Sequence, residues 1–441
     1  MFKRLKQSKL YSDALWALFG QASSALALLL GTRLLTELVS PAIYGQVALL
    51  NGFVALGVAV FSYPFICAGM RIAPECQTAE ELSGLHAAVA RLTSQAIAMA
   101  IALLVLGGFA FGHFADSSSL LFGLAAGLLA ITVQRELGIQ LAIGERKHRL
   151  ASLWQTSDSV LRPALAIALV WWLGGNPEWV LLGYILASLL SNLVWIMLKR
   201  RNALRTPATA NRSFRREVWI YALPLIPMEL IFWINGLGDR YVIGYLLTAA
   251  DVGLYAATYL IVNEAFNRSA MVLLRTFQPA YFQAFSAQTL QKAFSILWLW
   301  ISSVAVLGAL GLVLLILGKD WVACLVLAKS YHAAVDLMPA IALGCSLQAL
   351  GTALAQPLLA RKRTKTLLKG RLCGAVTAAI TIPLLVSQYG LPGAAWANPA
   401  YFGIEALVLA ILAKPWKADH SLFPGNIQKP IPEPRAAEVL E

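Results

Sequence analysis

A chain of 441 residues, 59% of them hydrophobic and 13% charged, with a mean hydropathy of +0.68, lies far outside the balance of a soluble globular protein. Its formal charge of +13 would indicate a polyanion partner in a soluble protein, but here the basic residues sit in short loops between apolar runs. Those runs are about 20 residues long, enough to cross a hydrocarbon core of about 30 Å. The composition excludes a soluble class and a nucleic-acid partner, and leaves an all-α polytopic membrane protein.

In chain order, hydropathy predicts twelve spans. Six lie near Ala14 to Thr36, Tyr44 to Cys67, Ala87 to Phe111, Leu120 to Leu141, Leu153 to Leu173 and Trp179 to Leu198. After a basic linker come Val218 to Arg240, Val252 to Leu274, Ala293 to Leu317, Leu337 to Ala360, Leu372 to Gln388 and Gly393 to Leu412. The basic opening, MFKRLKQSKLYSD, precedes an apolar run that is longer than a signal-peptide core and lacks a small-residue cleavage site, so the run is expected to be retained.

Loop charges set the expected orientation. Lys3, Arg4, Lys6 and Lys9, the loop with Arg146, Lys147 and Arg149, the linker Lys199 to Arg216 and the loop Arg361 to Arg371 alternate with nearly uncharged or acidic turns. Only Lys319 and Lys329 fall on the other side. Positive residues favour the cytoplasmic side, so both termini are expected there. The predicted organisation is a cytoplasmic N-terminus (1–13), an N-lobe (14–198), a basic cytoplasmic linker (199–217), a C-lobe (218–413) and a polar, proline-rich cytoplasmic tail (414–441). A short internal echo supports parallel six-helix lobes around a central cavity: Arg33 precedes Ile-Tyr-Gly-Gln (43–46), and Arg240 precedes Val-Gly-Leu-Tyr (252–255).

Cys67, Cys76, Cys324, Cys345 and Cys373 contain no CxxC pair, and His86, His113, His148, His332 and His420 contain no HxxxH pair, so neither a disulfide framework nor a metal site is expected. Trp171, Trp172, Trp179, Trp219, Trp298, Trp300 and Trp416 read mostly as anchors at span ends.

The informative residues are charges inside apolar runs, each costing about 2.5–3.5 kcal/mol at mid-membrane depth on insertion scales. The stretch from Tyr221 to Phe285 alone carries Glu229, Asp239, Arg240, Asp251, Glu264, Arg268 and Arg275. At about 1.5 Å per residue, Arg162, Glu229 and Glu264 fall nearest the midplane. Asp251 and Arg275 fall near opposite faces. Two readings remain open. Arg33 with Glu37, Asp158 with Arg162, and Glu264 with Arg268 are spaced i, i+4, so each pair can neutralise itself on one helix. Alternatively, Arg33, Arg162, Arg240 and Arg268 line a cavity between lobes and bind an anionic pyrophosphate, since a guanidinium stays ionised and makes bidentate bonds to phosphate. Asp158, Glu229, Asp239 and Glu264 are then candidates to titrate or bind a coupling cation. Pro224 and Pro227 each remove a backbone hydrogen bond inside the seventh span, which suggests a hinge or a static packing kink. Pro64, Pro163, Pro279, Pro357, Pro383 and Pro399 suggest similar bends.

Several segments resemble the Wzx-like polysaccharide flippases of the MOP superfamily. ALPLIP, a tryptophan, GDRYVIGYLL, DVGLYAATYLI and FQPAYF match that family's seventh and eighth spans. KSYHAAVDLMPAIALG, ARKRTKTLLKGR and QYGLPGAAWANPAYFGIEAL are similar to its C-terminal part, and TRLLTELVSPAIYGQVALLNGF is similar to its first loop. TAAITIPLLV departs from the family by lacking an asparagine in the eleventh span. The resemblance implies movement of an undecaprenyl-pyrophosphate-linked oligosaccharide from the inner to the outer leaflet of the bacterial cytoplasmic membrane. It implies alternating access coupled to an H+ or Na+ gradient, with no further cofactor. It also implies membrane lipid, a polysaccharide polymerase and assembly proteins as partners.

A MATE-type cation-coupled drug or metabolite exporter is the alternative transporter. A membrane glycan enzyme is disfavoured, because the longest predicted outer segment, Lys319 to Asp336, lacks paired carboxylates suited to acid/base work. No GxxxxGK[ST] motif points to ATP hydrolysis.

Overall fold

The structure, a computed structural model, describes residues 2–76, 78–112, 119–144, 147–200 and 212–415. His113, Arg146, most of the basic linker, and the tail from Trp416 onward, with His420, lie outside the described residues. Every regular element described is helical. The first half contains α1 (Phe2–Leu38), α2 (Pro41–Phe61), α3 (Tyr63–Ile72), α4 (Ala79–Gly112), α5 (Ser119–Gly144), α6 (His148–Leu173) and α7 (Pro177–Arg200). The second contains α8 (Arg212–Ala222), α9 (Ile226–Leu246), α10 (Ala249–Ser286), α11 (Leu290–Val326), α12 (Met338–Leu354), α13 (Gln356–Ala360), α14 (Thr364–Tyr389) and α15 (Leu391–Ala413).

The punctuation follows backbone chemistry. Pro41, Pro227, Pro339 and Pro392 stand in the first turns of their helices, where a missing N–H costs nothing. Gly390 ends α14 at a φ of 64°, which disfavours a side chain. Thr248 and Asp251 form a reciprocal capping box that starts α10, so Asp251 is a helix cap.

Allowing for breaks, these helices form the twelve expected rods, in two six-helix lobes around a central cavity. Among the described residues, eight rods are long and apolar enough to cross a membrane. α6 and α10 are more polar because they carry Asp158 and Arg162, and Asn263, Glu264, Asn267 and Arg268. Most rods outrun the predicted spans. The 37 residues of α11 extend about 55 Å, well beyond the hydrocarbon core. The expected outer segment from Lys319 to Asp336 is therefore not a loop: α11 runs to Val326 and a 3-10 helix follows over Lys329–Leu337. Of the prolines expected to bend helices, Pro163, Pro279, Pro383 and Pro399 sit inside uninterrupted helices, whereas breaks occur beside Pro64, Pro224 and Pro357. Trp300 corrects the anchor expectation. It is 1% exposed and stacks on Phe277 at 6.0 Å in a C-lobe core, because its side of α11 faces the bundle.

One N-lobe core joins Leu35, Val47, Leu128, Leu129, Ala166 and Leu181. The C-lobe core includes Ile243, Tyr255, Ile341, Tyr401 and Phe402. The seventh rod is shared between them. Before its break at Leu223–Leu225, Val218 and Ala222 of α8 pack with Phe65, Leu85 and Val89 of the N-lobe. Beyond the break, α9 joins the C-lobe core through Ile243. The lobes meet most closely where α2 crosses α10. A Cβ on Gly45 would lie 1.8 Å from the Ala249 carbonyl oxygen, and one on Gly253 would lie 1.9 Å from that of Pro41. The residues of the internal echo thus become one backbone-to-backbone contact between lobes.

Candidate functional site

A cavity of about 780 Å³ opens between the lobes, walled by α1, α2, α5, α6, α9 and α10, with Tyr63 from α3 and Tyr184 from α7. Its N-lobe wall carries an ionic network in which every charged group has an opposite partner. Asp158 pairs with Arg135 and, at 3.0 Å, with Arg162. Arg162 also donates to Ser188 Oγ at 3.0 Å and to Thr132 Oγ1 at 3.1 Å, while Ser188 donates to Asp158 at 3.0 Å. Arg135 adds Glu136 at 2.5 Å. Two guanidiniums and two carboxylates therefore leave this wall close to neutral, which offsets part of the cost of holding charge in the membrane.

The C-lobe wall is different. Arg268 pairs with Glu264 at 2.5 Å and reaches across the lobe boundary to Gln21, donating to its backbone oxygen at 2.9 Å and its side-chain oxygen at 3.0 Å. Arg240 lies 5.1 Å over the Tyr259 ring, yet no carboxylate among the described residues pairs with it and its buried Nε has no hydrogen-bond partner. Glu229, half-buried, also lines the cavity without an ion pair among the described residues. The cavity thus presents one uncommitted guanidinium and one uncommitted carboxylate.

Behind Arg240 runs a buried polar chain through α9, α10, α14 and α15. Asp239 Oδ1 accepts from the Arg240 backbone N–H at 2.8 Å, and its Oδ2 accepts from the Tyr255 hydroxyl at 2.5 Å. Asn398 donates to the Tyr255 oxygen at 2.6 Å. Tyr401 shares its proton between Asn398 Oδ1 at 2.9 Å and the Asn235 carbonyl at 3.0 Å. Asn235 Nδ2 donates to Glu405 at 3.1 Å, and Glu405 pairs with Arg371, whose guanidinium lies over Phe232. Asp239 is 2% exposed. Its carboxylate is held inside the lobe while the neighbouring Arg240 reaches the cavity. Among the described residues, no three His, Cys, Asp or Glu side chains gather to hold a metal ion.

A family model described as "Polysaccharide biosynthesis protein" matches residues 10–266, more than half of the chain. The chain belongs to the polysaccharide biosynthesis protein family. No curated protein matches it. Among solved structures, it is similar to a lipid II flippase, MurJ, in an inward closed conformation, at 17% identity and a TM-score of 0.67, covering 92% of this chain and 87% of that one. A multidrug resistance MATE family transporter of the MOP superfamily in an outward-facing conformation follows at 14% identity and 0.63, covering 92% and 94%. A MOP superfamily transporter from Pyrococcus furiosus matches at 14% identity and 0.59, covering 92% and 94%. These identities carry the fold, which is that of MOP flippases and transporters.

In this family member, the fold brings Arg162, Arg240, Arg268, Asp158, Glu229 and Glu264 to the cavity. Arg33 is not among the lining residues, although Gly31, Thr32 and Leu35 are; it pairs with Glu37 at 2.8 Å. All three i, i+4 pairs read from the sequence are formed. Pro224 lies in the break between α8 and α9, and Pro227 stands in the first turn of α9. Sequence reasoning missed Arg135 and Glu136, charged neighbours inside the fourth span that the same insertion-cost argument would have found. It also missed Glu405, a lone carboxylate in the last span, and its partner Arg371, 34 residues away.

Proposed function

We propose that this membrane protein moves an undecaprenyl-pyrophosphate-linked oligosaccharide from the inner to the outer leaflet of the bacterial cytoplasmic membrane by alternating access, for cell-surface polysaccharide assembly. The observation that carries the reading is Arg240, a guanidinium without a carboxylate partner among the described residues, facing the cavity between lobes. A desolvated cation with open donors is matched by phosphate, which accepts charge-assisted bonds from it. Arg162 and Arg268 keep their own carboxylates and offer their remaining N–H donors to sugar hydroxyls or phosphate oxygens. Family membership and the likeness to a lipid II flippase support a lipid-linked glycan as cargo. Glu229 is the foremost ion-coupling candidate, because neutralising it breaks no ion pair. The chain performs transport and not bond chemistry, and passes its cargo to a polysaccharide polymerase and assembly proteins.

The test is deletion followed by lipid analysis. Lipid-linked repeat units should accumulate on the cytoplasmic face of deleted cells, and Arg240→Ala should restore less than about a tenth of wild-type export at unchanged protein level, the cost of removing a charge-assisted anchor. Unchanged lipid pools with a loss of drug resistance would instead support the MATE-type reading that the second structural likeness favours.

A further inference from the structure

A second cavity, a groove of about 480 Å³, lies on the flank of the bundle between α4 and the start of α8, away from the central one. Leu92, Ala96 and Met99 of α4 and Trp219 of α8 form its apolar length, and Gln95, Arg215 and Arg216 form its polar end. Trp219 stacks on Phe65, with ring centres 5.2 Å apart and planes 12° apart, which fixes one wall. Arg215 Nη2 donates to Gln95 Oε1 at 3.3 Å, and no carboxylate among the described residues pairs with either arginine. The lining is open to the surroundings: Met99 is 54% and Trp219 45% exposed.

The groove sits at the level where polar chain gives way to apolar chain, since exposed Arg91 lies one turn before Gln95 and the apolar run of α8 and α9 begins after Arg216 and exposed Glu217. We propose that it is a binding site for an anionic glycerophospholipid of the surrounding membrane, with the phosphate on Arg215 and Arg216 and an acyl chain along Met99, Leu92 and Trp219. A soluble anion would leave the apolar length unfilled, and a zwitterionic lipid would leave the two cations uncompensated. The site has a structural consequence. α8 is the part of the seventh rod that packs on the N-lobe, and the break at Leu223–Leu225 separates it from α9. A lipid wedged between α4 and α8 tightens that N-lobe attachment while leaving α9 with the C-lobe.

The test uses the purified full-length chain in neutral detergent, with native mass spectrometry of added dioleoyl phosphatidylglycerol and dioleoyl phosphatidylcholine. The wild type should retain phosphatidylglycerol in preference. Arg215→Gln/Arg216→Gln should weaken that retention roughly tenfold or more, from loss of two interfacial cations. Met99→Trp, which fills the groove and leaves the arginines in place, should weaken it as well, whereas the control Lys365→Gln/Lys369→Gln should not. If the double arginine variant fails to fold, Met99→Trp decides. Equal retention of the two lipids, unchanged retention in the groove variants, or an equal loss in the control overturns the proposal. Preferential retention of decaprenyl phosphate also overturns it and assigns the groove to a polyprenyl-linked lipid.

Discussion

Arg240 and Arg162 each lie in an apolar run with an aspartate close by in sequence, and the structure separates them: Arg162 pairs with its aspartate, whereas Arg240 has no carboxylate partner among the described residues. Arg162 and Arg135 share Asp158, which is 3% exposed, so this carboxylate holds two cations in place. Replacing one member of a buried ionic set strands the others. Asp158→Ala should therefore destabilise the protein by about 3–5 kcal/mol, and Asp158→Ala/Arg162→Ala should recover part of that loss, because the stranded guanidinium is gone. Thermal unfolding of the full chain in detergent checks this, and equal losses in both variants would contradict a shared ionic role. The Asp158 and Arg162 pairing was legible because four residues bring two side chains onto one helix face. The contact with Arg135 was not, since 23 residues and a helix reversal separate the partners.

Among elements, α2 and α10 carry the contact that couples the lobes. Gly45 and Gly253 permit backbones to touch, and a methyl group on either would overlap a carbonyl oxygen of the other helix. Gly253→Ala should thus push the lobes apart at this end, and a cysteine placed at Asn51, in the cavity wall, should react severalfold faster with a membrane-impermeant maleimide added from outside the cell. An unchanged rate would show that the glycine contact does not close the cavity on that side. The seventh rod gives the opposite lesson. Its prolines announced a break, but not that α8 would side with the N-lobe and α9 with the C-lobe, because that choice depends on which apolar faces meet. Elsewhere the helix runs on through its proline: Pro279 stays within α10, and Pro163, packed closely against Gly31, stays within α6.

For the whole molecule, successive rods alternate in direction, so Lys147, Arg149, Arg215, Arg216 and the residues from Arg361 to Lys369 share one end, while Lys319 and Asp336 pair at the other. Cytoplasmic retention of positive charge predicts that the first end faces inward. In cells carrying single added cysteines, Lys369→Cys should label with an impermeant maleimide only after permeabilisation, and Lys319→Cys in intact cells. The reverse pattern would invert the proposed direction of cargo movement. A family match over residues 10–266 and structural likeness over nine-tenths of the chain agree on the scaffold. Within that scaffold, a near-neutral N-lobe wall faces a C-lobe wall on which Arg240 and Glu229 have no ion pair among the described residues.

By itself the sequence determined the number of rods and the apolar centre of each, and it offered the two-lobe arrangement and intrahelical pairs such as Glu264 with Arg268, which the structure forms. Those features depend on local physics: hydrocarbon thickness, the helical repeat and the placement of charge in short loops. Tertiary structure alone decided that Arg33 stays out of the cavity, that Asp239 is locked to Tyr255 inside the C-lobe, and that Glu405 meets Arg371. In each case the decisive partner comes from a neighbouring helix or from the helix's rotation about its own axis. Hydropathy is nearly blind to that rotation, because in a membrane both the lipid-facing and the core-facing sides are apolar.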